Sequence, residues 1–103
     1  MESSLSWEDF DKVAMHVGTI IGLNDFPEAR KPAYQLTIDF GEVIGVLKTS
    51  AQITKRYTKD DLINRQIVAV VNFPKKQIGK FMSECLVLGA VGESGDVILL
   101  APD

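Results

Sequence analysis

One histidine and one cysteine are all that this 103-residue chain offers to chemistry that needs an imidazole or a thiolate. A structural zinc site takes about four nitrogen or sulfur ligands, and His16 with Cys85 supply two, so no metal is expected. A lone cysteine excludes an internal disulfide and fits a reducing compartment. No apolar run approaches the ~20 residues of a bilayer-crossing helix, so no membrane insertion is expected. The start, MESSLSWEDFDK, is acidic and has neither the basic nor the apolar region of a secretory signal. A cytoplasmic protein is the expectation.

Catalytic constellations are missing as well. Asp60 and Asp61 are neighbours whose side chains diverge, and Asp39 and Glu42 flank a turn. Neither pair suits general acid–base work. There is no GxxxxGK[ST] run, and Gly89, Gly92 and Gly95 do not form GxGxxG. The reading is a non-enzyme with no catalytic residue and no cofactor.

What the chain does have is charge of uneven placement. Its formal net charge is −3, yet residues 48–80 hold eight basic residues against Asp60 and Asp61. An acidic protein can still own a positive face, the requirement for steering polyanions. The densest piece is NFPKKQIGKFMSE at 72–84.

Periodicity gives mostly β-structure. Ser6 caps a short helix over about 7–12, with Leu5 and Phe10 at its staple positions. In residues 13–23, Val13, Met15, Val17, Thr19, Ile21 and Leu23 share one face as the main apolar set. Ala14, His16, Gly18, Ile20 and Gly22 share the other. Strands follow at 34–40, 43–48, 66–73, 81–91 and 97–101, with Gly41-Glu42 turning the second into the third. Residues 49–54 read as the start of a helical turn, and Thr58 with Asp61 caps a short helix before strand four. Three meandering strands, a short helix and further strands is the order of the OB-fold, a five-stranded Greek-key barrel. The fold class is all-β with short helices, one unit over 1–103.

The runs VGTIIGLNDFPEARKPAYQLTIDFGE, SAQIT and AVVNFPKKQIGKFMSECLVLGA carry a specific resemblance. Over about residues 8–103 the chain resembles the EMAP-II-like tRNA-binding domain family, and within it the CsaA-type branch. Where synthetase-type members carry a HPDADKL-like loop it has FPEARKPAY, and in place of their SxGM motif it has Ser83-Glu84-Cys85-Leu86. The resemblance implies an OB-fold, a homodimer and no catalysis. It implies tRNA binding in the wider family, and secretion-related chaperone activity on unfolded or presecretory polypeptides in the CsaA-type branch.

The candidate sites follow. Lys48, Lys55, Arg56, Lys75, Lys76 and Lys80, with Arg30 and Lys31 in the loop between the first two strands, are candidates for the phosphates of tRNA or another structured RNA. Ser50, Asn72 and Ser83 would hydrogen-bond sugars or base edges. Phe73 and Phe81 adjoin apolar strands, which favours core placement, though either could stack a base. A polypeptide would use Phe26, Phe73, Ile78 and Met82, methionine suiting varied partners. Leu5, Trp7, Phe10, Leu99 and Leu100 exceed what a small barrel hides easily and are the candidate dimer contacts. An alternative is a docking module that joins a synthetase or secretion component without RNA.

Overall fold

Alternating side chains draw most of the chain into antiparallel strands. The computed structural model describes residues 3–103. After α1 (Trp7–Asp11) come β1 (Met15–Asp25), β2 (Tyr34–Asp39) and β3 (Val46–Ala51). The short α2 (Lys59–Leu62) leads to β4 (Gln66–Val70), then to a hairpin of β5 (Lys76–Ile78) and β6 (Phe81–Ser83). The chain ends with β7 (Leu86–Val87), β8 (Gly89–Val91) and β9 (Val97–Leu99). One sheet has the order β3-β2-β1-β4-β7, and β5-β6 and β8-β9 are separate hairpins.

The long β1 serves two partners. Met15–Thr19 pair with β4, and Thr19–Asp25 pair with β2 through an irregularity between Ile20 and Gly22. Such a bulge bends a strand and lets a sheet coil into a barrel. Gly18 makes the coil possible. A Cβ there would lie 2.5 Å from Ile38 Cγ2 and 2.7 Å from the Phe40 ring, so two larger side chains occupy the space it leaves. Ile20, Leu36, Ile38, Leu62 and Ile67 are fully buried. Leu62 reaches the core because Thr58 and Asp61 form a reciprocal capping box that fixes α2.

Hydrogen bonds join the two ends of the sheet. Glu84 N donates to Lys48 O at 2.7 Å, and Lys48 N donates to Glu84 Oε1 at 2.9 Å. The Thr49 hydroxyl donates to Cys85 O at 2.6 Å. With β3 thus meeting the segment before β7, the sheet becomes a nearly closed five-stranded antiparallel barrel, the OB-fold.

Several details differ from the periodicity. Residues 43–48 are not a strand from their start; the turn runs on and β3 begins at Val46. Thr49–Ala51 are strand rather than helical turn. The reason is pairing: Leu36, Gln35 and Tyr34 sit opposite Thr49, Ser50 and Ala51. The expected strand 81–91 breaks into β6, β7 and β8 because it meets β5, β3, β4 and β9 in turn. The main apolar set of β1 faces outward through Ile21: Met15, Val17 and Ile21 are exposed while Gly18 and Ile20 point inward. Leu99, expected at a dimer surface, is buried; its N–H donates to the Tyr57 hydroxyl at 2.9 Å.

Glu84 holds its barrel-closing contacts as a carboxylate. The Lys48 backbone N–H and then Lys75 Nζ, 3.2 Å from Oε2, keep its acid below the usual carboxylate range. A carboxyl with a depressed folded-state pKa stabilises the fold above its unfolded pKa and loses that contribution as pH falls through the folded value. Glu84→Gln is therefore expected to cost about 1 kcal/mol near neutral pH, since Gln keeps one acceptor. Urea denaturation from pH 7 downward should show the gap to wild type shrinking below the ordinary carboxylate range. A gap that does not change with pH would remove the ionised clamp.

Candidate nucleic-acid interface

Register decides which cations reach the barrel wall. In the β5–β6 hairpin Lys76 pairs with Ser83 and Ile78 with Phe81, so these four share one face. Lys75, Met82 and Glu84 fall on the other. The first face lies over β3, where Ser83 Oγ is 2.9 Å from Thr49 Oγ1. Thr49 gives its one hydroxyl hydrogen to Cys85 O, so Ser83 donates to Thr49. Ser83 Oγ also receives the Ser50 N–H at 3.4 Å.

Three adjoining clefts run along this face. The first, about 260 Å³, is walled by Phe73, Pro74, Cys85 and Leu86. The second, about 340 Å³, passes Thr49, Ser50, Gln52 and Ile78. The third, about 370 Å³, reaches Arg30, Lys31 and Gln77. Lys76 lines all three, Ser83 the first two, and Ser50 and Gln52 the last two. They form one groove from the β1–β2 loop to the Phe73-Pro74 step. Its charged lining residues are Arg30, Lys31 and Lys76, with no carboxylate. Among the described residues none of these three makes an ion pair.

The other expected cations lie outside the groove, several of them paired. Arg56 binds Asp96 at 3.0 Å, which raises the guanidinium pKa and lowers that of Asp96. Lys55 Nζ donates to Ser94 O at 2.7 Å, so both attach to the β8–β9 turn. Lys75 pairs with Glu84. Lys48 and Lys80 are exposed and line none of the three clefts. Thus the basic segment 48–80 does not converge as a block; acidic groups outside it neutralise part of it, and Lys76 joins Arg30 and Lys31 instead.

Other expected contacts resolve similarly. Asn72 is a tie rather than a reader: its Oδ1 accepts from Ala14 N at 3.0 Å, and its Nδ2 donates to Lys12 O at 2.6 Å. The hydrogen of Ser83 is committed to the barrel seam, leaving the Ser50 side chain better placed for a ligand. Phe26 is buried, 5.3 Å from the half-buried Phe81 ring centre to centre, and is not part of an open groove. Met82 lies on the far face of the hairpin. Phe73 is 54% exposed despite its apolar neighbours, and Ile78 is half-buried in the groove.

Gln77, Pro74 and Leu86 line the groove without having been singled out. Pro74 beside Phe73 was a legible signal. Leu86 was not, because it sits in an apolar run whose break comes from pairing. Cys85 is buried, and desolvation pushes its thiol up to about 11. It stays neutral and unreactive at physiological pH. No group of three or more metal-ligating side chains occurs among the described residues.

Residues 15–103 match the model of a family described as "Putative tRNA binding domain". A methionine–tRNA ligase of Thermococcus onnurineus is 35% identical over 99 residues, covering 96% of this chain and 13% of the ligase. The chain thus spans about an eighth of the curated relatives it matches. Among solved structures, the CsaA chaperone protein of Picrophilus torridus superposes with a TM-score of 0.92 at 55% identity, over 97% of this chain and 92% of that one. The chaperone CsaA of Bacillus anthracis gives 0.90 at 53%, over 98% and 91%. By both the matched segment and its barrel, this chain belongs to the tRNA-binding domain family, with CsaA chaperones as structural neighbours.

Proposed function

We propose that this protein is a non-catalytic, cytoplasmic RNA-binding module whose ligand is tRNA, held in the groove between the β1–β2 loop and the β5–β6 hairpin. The observation that carries the reading is the meeting of Arg30, Lys31 and Lys76 along one groove without a carboxylate in its lining. Methionine–tRNA ligases that contain a matching segment support the choice of tRNA. Phosphate contacts release counterions, so affinity falls with salt along a log–log slope of about −0.9 per duplex phosphate neutralised. The double variant Arg30→Ala/Lys76→Ala should weaken tRNA binding and flatten that slope by about two. Lys75→Ala should do much less, because Lys75 already serves Glu84. Filter binding at several salt concentrations measures both, and an unchanged slope in the double variant removes the assignment.

A second reading uses the apolar end of the same groove. Phe73, Pro74, Cys85 and Leu86 offer greasy walls, and the neighbours named CsaA are chaperones. An unfolded, presecretory polypeptide is the ligand in that case. Suppression of client aggregation that persists at high salt and is lost in Phe73→Asp supports it; suppression that disappears with added salt counts against it. Docking on a synthetase or secretion component without RNA would leave both assays blank.

We also propose a homodimer. Leu5, Trp7, Phe10 and Leu100 are exposed, as are Met15, Val17 and Ile21 on the outer face of β1. That much unpartnered apolar surface calls for cover. Sedimentation at micromolar concentration should give one species of twice the 11.3 kDa chain mass. Val17→Asp/Ile21→Asp should halve it, and a monomeric wild type ends the proposal.

A further inference from the structure

We infer that the groove is built for an unpaired RNA segment, one base lodged in the Phe73 cleft and the backbone running past Lys76 toward Arg30 and Lys31. This rests on the RNA reading above and narrows it.

The lining changes character along its length. At one end an aromatic ring, a proline ring and Leu86 line an open cleft that is largely apolar. Lys76 stands at the junction. Beyond it come Ser50 and Gln52, then Arg30 and Lys31. A nucleotide has the same sequence of chemistries: a flat apolar face, a hydroxyl-bearing sugar and an anionic phosphate. The match requires the base to be out of its stack. In a duplex the base faces cover one another, so Phe73 would meet only backbone and its cleft would stay empty. Stacking on an aromatic ring is the sequence-tolerant way in which OB barrels hold single strands.

The two aromatic candidates are not equivalent here. Phe81 packs on the buried Phe26, so its ring is committed to the barrel. Phe73 is over half exposed and follows Asn72, whose side chain is anchored by two hydrogen bonds to the Lys12–Ala14 strand entry. An anchored neighbour limits the freedom the Phe73 step has to lose on binding. Charge complementarity favours RNA over an apolar polypeptide, since a peptide would leave Arg30, Lys31 and Lys76 unanswered.

The test compares a fluorescein-labelled uridine-rich strand of about twelve nucleotides with a blunt duplex of equal length, within the span OB barrels engage. Fluorescence anisotropy should show the strand bound more tightly by about ten-fold or more. Phe73→Ala should cut strand affinity about ten-fold, leave duplex affinity alone and leave the salt slope unchanged. Phe73→Trp should restore it. A fluorescent purine analogue placed in the strand should be quenched by wild-type protein, a readout independent of how any variant folds. Equal binding of strand and duplex, no quenching and indifference to Phe73 overturn this inference while leaving the RNA reading intact. If neither RNA binds but a reduced, carboxymethylated polypeptide does, and Phe73→Ala weakens it, both RNA readings fall.

Discussion

The seam between β3 and residues 83–85 is the constraint on which the barrel and its groove both depend. Three backbone positions, Lys48, Thr49 and Ser50, meet Ser83, Glu84 and Cys85 through hydrogen bonds of 2.6–3.4 Å. Thr49 is the buried polar side chain of the core, and its hydroxyl is satisfied at both ends. No buried side-chain nitrogen or oxygen among the described residues lacks a partner. Such a network is rigid because removing one member leaves another unpaired in a low-dielectric interior. The rigidity sets the groove floor, since Thr49, Ser50, Ser83 and Cys85 line it.

That seam also explains how an acidic chain keeps a positive groove. Glu84 stands on the hairpin face opposite Lys76, where it binds the Lys48 N–H and Lys75. Asp96, half-buried, is drawn to Arg56, and Asp25 to Lys59 at the surface. An exposed pair such as Lys59–Asp25 contributes little to stability. The effect of these pairs is on the field: they remove carboxylates from competition with a ligand and leave Lys76, Arg30 and Lys31 unopposed. Net charge therefore says little about the groove, whereas strand alternation says a good deal.

Alternation was readable in advance, and pairing was not. The caps at Ser6 and Thr58, the second strand and the overall order of elements follow from local rules, because a cap needs a residue only three positions away. The division of 81–91 among several partners depends on tertiary pairing, which no local pattern reports. The same blindness hid Leu86 as a groove residue and made Lys75 look equivalent to Lys76. Burial of Phe26 and Leu99 has the same origin: each lies in a segment that reads as edge or loop but covers an end of the barrel. The order of elements already pointed to the OB-fold and the resemblance to the tRNA-binding family added an expected ligand class, whereas the groove's cations come from two distant segments that only the fold unites.

The inverted face of β1 connects the fold to the proposed dimer. Where β1 coils closest to its neighbours its inner face has room only for a glycine, and Gly18 lies there against Ile38 and Phe40. Its larger residues, Met15, Val17 and Ile21, are then left outside. Exposed apolar residues on a central strand cannot be hidden by the barrel itself, so curvature leaves an uncovered apolar surface as a by-product. Asn72 and Val71 tie the start of that strand to the entry of the Phe73 step. A second copy covering β1 would therefore stiffen the groove's apolar end through these bonds. It would also present two grooves on one body, and a ligand long enough to reach both gains avidity without any new contact within either groove.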